Sequence, residues 1–283
     1  MKAEQEARKA ATAFRERHGL GFAPIEDLVA LIDLTQHVDV AILDANADEH
    51  GMTVRDPQRG VSMIAAARTR NPMRQRSTLA HELGHIIFDD YAEPKRAGWS
   101  KRDPEEMRAD AFSRHLLVPI PGLLLALAGV NKPSLSDLSE LVQRFRASPQ
   151  IVAIQLYEAK LIRLSRKSEW MAKTAPALAA RFGWSDQYKA LQAESDTRRA
   201  PQRLLARATA AYEAGSVSLP FIAGLRGISV ERVAAEFAEQ GIGPNPEDPA
   251  RDSAALILAP PKNPSRDIDF SDLDTLEAED RGE

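Results

Sequence analysis

The segment Thr78-Leu79-Ala80-His81-Glu82-Leu83-Gly84-His85-Ile86-Ile87-Phe88 places two histidines four residues apart, with a glutamate directly after the first. A helix advances about 100° per residue, so these histidines differ by only about 40° around the axis and both imidazoles can reach one metal ion. Glu82 stands beside that face, where its carboxylate can take a proton from an attacking water as general base. The flanking residues Leu79, Ala80, Ile86, Ile87 and Phe88 are apolar. An uncompensated glutamate between two histidines would be costly to bury there, which argues against an incidental histidine pair on a surface helix.

A catalytic zinc normally takes three protein ligands and leaves one position open. The acidic helix that follows most closely is Pro104-Glu105-Glu106-Met107-Arg108-Ala109-Asp110-Ala111-Phe112. Glu106 and Asp110 lie one turn apart. With Glu106 on the metal, Asp110 faces the same site and can accept the second N–H of a ligand histidine. Glu105 reads as a solvated first-turn carboxylate, a common choice at a helix start. The expected cofactor is one Zn2+ per chain, held by His81, His85 and Glu106.

The elements that must position these residues follow from hydrophobic period. Ala7, Ala10, Ala11 and Phe14 describe a helix over residues 2–17, which Gly19 and Gly21 break. Ile25, Leu28, Val29 and Ile32 mark a second, short helix. The period then changes: Val38, Val40 and Ile42 alternate, Gly51 to Val54 follow a polar turn, and Val61 to Ala65 form a third apolar run. This reads as a small antiparallel three-stranded sheet. Helices are expected over residues 74–88 and 103–117, the second stopping at Val118-Pro119, with a polar loop of residues 89–102 between them.

Downstream, Ser134 and Asp137 form a capping-box pair ahead of Leu135, Leu138, Leu141, Val142 and Phe145, and Ser148-Pro149 opens a further helix. A weak echo relates Ser148, Val152, Ala153, Leu156 and Ile162 to Ser229, Val233, Ala234, Phe237 and Ile242, as in two related helical hairpins. Pro201 divides residues 185–214 into two helices. Prolines cluster after Gly243, and residues 266–283 are dominated by Asp and Glu, which reads as a disordered acidic tail. The expected fold class is α+β: the sheet packed on the zinc-site helices, then an α-helical C-terminal region and the tail. The expected domains are 1–120 (metallopeptidase), 121–165 (helical hairpin), 166–243 (C-terminal helices) and 244–283 (Pro-rich and acidic tail).

Composition narrows the function classes. The chain has 283 residues, enough for a sizeable core, and its 43% hydrophobic and 28% charged residues exclude a chain disordered throughout. The absence of cysteine excludes thiol catalysis and thiolate metal sites. A net charge of -4 supplies no bulk field for nucleic acid. No apolar run is long enough for a membrane span and the N-terminal residues lack a secretory pattern, so a cytoplasmic protein is expected.

The string Arg76-Ser77-Thr78-Leu79-Ala80-His81-Glu82-Leu83-Gly84-His85, followed by Glu106-x-x-Ala109-Asp110-x-Phe112 and Leu116-Leu117-Val118-Pro119, resembles the ImmA/IrrE family of metallopeptidases. The resemblance covers roughly residues 5–165. It departs at Ser77, where the family commonly has an aromatic residue, at Asp110, where Asn is frequent, and at Val118, where Met is usual. It implies a zinc-binding HExxH helix with a third Glu ligand on the next helix. It also implies limited proteolysis in which a separate helix-turn-helix repressor is cut and the genes it silences are released.

The other candidates carry less. His18, His37 and His50 fall in turns or loops and read as surface residues. His115 or Tyr91 could steady a tetrahedral oxyanion, as could Arg74 or Arg76. The hairpin at 134–162 could be read as a DNA-binding helix-turn-helix, but its second helix offers Gln150, Gln155 and Lys160 and no arginine before Arg163. Direct nucleic-acid binding is therefore not favoured over packing. The alternative to an endopeptidase is a regulatory protein that binds a repressor or DNA without cutting.

Overall fold

The computed structural model describes residues 2–45, 51–56, 58, 60–90 and 103–244. The chain opens with helices α1 (Lys2–Arg17) and α2 (Leu28–Thr35), then strands β1 (Asp39–Leu43), β2 (Gly51–Asp56) and β3 (Val61–Ala67). Helices α3 (Pro72–Ile87) and α4 (Pro104–Leu117) carry the HExxH segment and the acidic segment. There follow α5 (Ile120–Ala126), α6 (Leu135–Phe145), α7 (Pro149–Glu158), α8 (Leu164–Met171), α9 (Ala175–Phe182) and α10 (Ser185–Ser195). The last helices are α11 (Gln202–Glu213), α12 (Leu219–Arg226) and α13 (Val230–Glu239). The expected α+β class holds, and Pro201 ends the stretch between α10 and α11 as the N-cap of the latter. The acidic tail lies outside the described residues.

The sheet is mixed, which corrects the antiparallel expectation. Its order is β1-β3-β2, with β2 antiparallel to β3 and β1 parallel to it. Alternation reports which face of a strand is buried; it carries no information on which neighbour the strand pairs with. The central seat goes to β3, where Ile64, Ala65 and Ala66 are buried in succession and so on both faces. Two chain reversals bring β3 back to the direction of β1, so their contact is parallel. The far edge of β1 is closed by a two-bond bridge in which Ile42 and Arg199 exchange backbone hydrogen bonds of 2.9 and 3.0 Å.

Helix α3 covers one face of the sheet and α4 packs along α3. Val40, Ile42 and Ile64 from the strands meet Leu79, Ala80 and Leu83 of α3 and Phe112 of α4 in one core that also takes Phe14 of α1. That core runs on through Leu138, Val142 and Phe145 of α6 and Val152 and Leu156 of α7 to Trp170. A second, smaller cluster joins α11, α12 and α13 through Ala208, Ile222, Val233 and Phe237.

The echo seen in the sequence is a repeat of backbone geometry. Helices α6 and α12 both end on a left-handed residue, Arg146 (φ 48°) and Gly227 (φ 64°). Helices α7 and α13 both start on a serine cap, Ser148 bonding Ile151 N and Ser229 bonding Arg232 N. Each second helix then closes alike, with Leu161 N on Leu156 O and Ile242 N on Phe237 O. The copies differ in burial: α7 is enclosed, whereas α13 exposes most of its residues.

Candidate metal centre

Helix α3 begins at Asn71, whose side chain accepts from Arg74 N at 3.2 Å with Pro72 at the first turn, and α4 begins likewise at Asp103 before Pro104. These caps fix where each helix starts, and hence which residues face across the contact. The two axes approach closely at Gly84. A Cβ there would lie 3.2 Å from Ala109 Cα and 3.2 Å from the Phe112 ring. A bare Cα in the HExGH stretch is therefore what lets the acidic turn of α4 reach the histidine pair.

That approach brings three side chains together. His81 Nε2 lies 3.1 Å from His85 Nε2 and 3.2 Å from Glu106 Oε2, and His85 Nε2 lies 3.5 Å from Glu106 Oε1. Ligands at zinc distances of about 2.0–2.1 Å in a tetrahedron stand about 3.3 Å apart. Two imidazole nitrogens and a carboxylate oxygen at these separations thus fit a divalent metal of the zinc type.

Asp110 adds the next layer. Its Oδ1 lies 2.9 Å from His81 Nδ1, so the ring donates its Nδ1–H to the carboxylate and Nε2 is directed at the cluster. Burial opposes charge on His81, but the hydrogen bonds to Asp110 and Glu106 outweigh it and push its pKa up to about 10 in the metal-free protein. Burial and the charge of His81 hold His85 down. His85 Nδ1 is buried with no hydrogen-bond partner among the described residues.

Glu82 contributes no atom to the triad and lies alongside it. Only 8% of it is exposed, and burial, helped by the charge of Glu106, raises its carboxyl above the ordinary range, while His81 and Thr53 pull the other way. The Thr53 hydroxyl donates to Glu82 Oε2 at 2.8 Å and stands 3.2 Å from the Glu82 carbonyl. Thr53 sits on β2, and Gly51 two residues earlier lets that strand lie against α3: a Cβ at Gly51 would overlap the Thr78 methyl and come 3.1 Å from Glu82 Oε1. Sequence reading missed Thr53. Its only signal was a threonine alternating with Met52 and Val54, which marks a face and names no partner.

The structure therefore gathers His81, His85, Glu106, Asp110 and Glu82. It does not bring in His115. Nine residues past Glu106 on the same helix, His115 points to the opposite side of α4. Its Nε2 lies 2.8 Å from Glu4 and its Nδ1 3.1 Å from Gln155. Gln155 also donates to Val118 O at 2.8 Å, which fixes the amide and makes His115 Nδ1 the acceptor, so its Nε2–H donates to Glu4. Arg76 is spent on the Ile25 and Glu26 carbonyls of the α2 approach. Tyr91 and His50 lie outside the described residues. His18 is half-buried, against the expectation of a surface residue, because its ring packs at a tilt on Phe14, with centroids 4.5 Å apart, and bonds Gln36. His37 is exposed.

The helix-turn-helix reading of the first hairpin meets the same test. Gln155 is fully buried, and Gln150 donates to the Met171 and Lys173 carbonyls, so both glutamines of α7 are already used inside the protein. Among the described residues no helix is long and apolar enough to cross a membrane.

A helix pair presenting two histidines and a glutamate around one point, with a second glutamate alongside, is the arrangement of a metallopeptidase. Residues 36–157 match the Peptidase_M78 family model, described as the IrrE N-terminal-like domain. The match runs from the approach to β1 to the end of α7 and contains every residue of the cluster. Over these residues the match supports membership of the ImmA/IrrE family and a peptidase domain. No curated protein matches the chain.

Proposed function

We propose that this protein is a zinc-dependent endopeptidase that acts in the cytoplasm by limited proteolysis of a separate helix-turn-helix repressor. The observation that carries the peptidase reading is the convergence of His81, His85 and Glu106 with Glu82 at their side. A zinc ion bound by those three residues would supply Lewis acidity toward a peptide carbonyl and toward water.

The rest of the chemistry belongs to the chain. Glu82 is the proton acceptor: burial makes its carboxylate a stronger base than an exposed one, and the Thr53 hydroxyl fixes its orientation. Once protonated, Glu82 can return the proton to the departing amine, as general acid–base catalysis requires. Asp110 holds the His81 ring so that Nε2 stays directed at the cluster. Among the described residues β2 is the terminal strand beside Glu82, and an extended peptide aligned with that strand would pass the base. We further place the chemistry in residues 1–120 and substrate selection in the helices beyond, because every member of the cluster precedes Pro119. The repressor as substrate rests on the family resemblance.

The test is incubation of the zinc-loaded protein with the helix-turn-helix product of a neighbouring gene, followed by N-terminal sequencing of the fragments. One new terminus, absent with Glu82→Gln, supports the reading. A stable complex with no new terminus supports the non-cleaving regulator instead.

A further inference from the structure

Beside the metal cluster, α4 borders a cavity of about 680 Å³. Its wall follows α4 from Met107 and Asp110 to Arg114, one turn further on, and the start of α1 and the end of α7 complete it. Cavity and metal centre share a residue: Asp110 bonds His81 at 2.9 Å and also lines the cavity, so a polypeptide held at the cluster has this space one imidazole ring away. The α1 wall precedes residues 36–157, so the family match does not describe it. The floor is internally matched, because the Glu4 carboxylate accepts from Arg114 at 2.7 Å and from His115 at 2.8 Å. That leaves the carboxylates of Asp110 and Glu158 against the guanidinium of Arg8, an excess of negative charge. Glu158, the last residue of α7, is exposed and forms no ion pair among the described residues. Met107, half of it exposed, and Ile120 add apolar surface to the same wall.

We propose that this cavity is a subsite that takes an arginine or lysine side chain of the polypeptide bound at the metal centre, with Glu158 as its counter-charge. The preference for a cation stands on the lining alone; its use in selecting where the chain is cut rests on the peptidase reading. Apolar wall next to unmatched carboxylates suits a side chain with a long aliphatic stem and a cationic head, which buries the stem and keeps the charge at the polar end. Aspartate and glutamate fail on both counts. Their stems are too short to cover Met107 and Ile120, and their charge meets carboxylates of the same sign. A purely apolar side chain would cover the wall and leave the carboxylates unanswered.

Digestion of a mixed proteome-derived peptide library by the zinc-loaded full chain, with the new termini read by mass spectrometry, tests the cut. Arginine and lysine should be enriched about tenfold over aspartate and glutamate at one fixed position beside it. Glu158→Arg should erase that enrichment and Arg8→Glu should deepen it; both residues are exposed, so neither exchange disturbs the core. No enrichment, or an enrichment indifferent to both variants, overturns the subsite, and an enrichment of acidic residues assigns the cavity to Arg8 and overturns it as well. A second arm needs no cutting. By fluorescence anisotropy, a fluorescein-labelled alanine peptide with a central arginine should bind the full chain about tenfold more tightly than its glutamate counterpart, and Glu158→Arg should abolish the difference. Glu140→Arg, an equal change of charge at an exposed residue outside the lining, should preserve it. Equal affinities, or a preference lost equally in Glu140→Arg, overturn the proposal. If no form cuts the library while the binding preference holds, the peptidase reading fails and the cation site stands.

Discussion

His81 Nδ1 and Asp110 Oδ1 lie 2.9 Å apart, joining the HExxH helix to the acidic helix one turn beyond Glu106. Loss of a partner that orients a ligand histidine typically weakens metal binding about 10- to 100-fold without abolishing it. Asp110→Ala should therefore fall between the unmodified protein and Glu106→Ala in a zinc-chelator competition. Asp110→Ala indistinguishable from the unmodified protein would reduce this contact to a surface pair.

The same ring sets a pH dependence. With its pKa pushed up to about 10, metal-free His81 carries a proton at neutral pH, and zinc must displace it from Nε2. Apparent zinc affinity should climb about tenfold per pH unit from pH 6 to 8 and fall as the solution is acidified. Calorimetry in two buffers of different ionisation enthalpy should count about one proton released from this residue.

Glu82 and Thr53 separate base from ligand. Glu82→Gln keeps shape and polarity but accepts no proton, so it should retain zinc and lose peptide hydrolysis by orders of magnitude. Thr53→Val should lower kcat about tenfold with zinc retained, and Thr53→Ser should recover most of it. A Thr53→Val enzyme with normal kcat would show that the contact does not orient the base.

Gly84→Ala is expected to act on both stability and metal. The added methyl meets backbone, at 3.2 Å from Ala109 Cα, so relief requires α4 to move away from α3. Overpacking of this kind costs about 1–3 kcal/mol, and the same displacement carries Glu106 away from the histidines. Thermal melting and chelator competition should both worsen; a change in neither would mean that α4 accommodates the methyl in place.

Glu4 ties α1 to α4. The hydrogen bond from His115 holds its carboxyl below the ordinary range against the opposing effect of burial, with Arg114 helping. A depressed carboxyl contributes stability above its unfolded value of about 4.3 and loses it as pH falls through the lower folded value. Glu4→Gln should therefore lower Tm by about 2–4 °C at pH 7, with the difference from the unmodified protein shrinking as pH falls below about 4.3. A deficit that persists in acid would assign the effect to packing.

The candidate triad was legible because one helix carries two of its members at fixed spacing, and the acidic turn with Glu106 and Asp110 follows the next cap. Local signals also fixed the Ser134–Asp137 capping box and the Ser148 cap, both present as read. What sequence could not supply are contacts whose partners lie far apart in the chain. Thr53 meets Glu82 across a strand-to-helix contact, and His115 finds Glu4 at the start of the chain. The parallel pairing of β1 with β3 escaped for the same reason, since period records exposure and is blind to strand order.

The Ile42–Arg199 bridge has a temporal consequence. A ribosome delivers β1, β2 and β3 together with helices α3 and α4 well before residue 199 emerges, so the outer edge of β1 waits for its Arg199 partner over that interval. Pairings of such large sequence separation form late and leave strand edges exposed to neighbouring chains. Chains terminated before residue 199 should therefore depend on chaperones more than the full-length product does, although they already hold every residue of the His81–His85–Glu106 cluster.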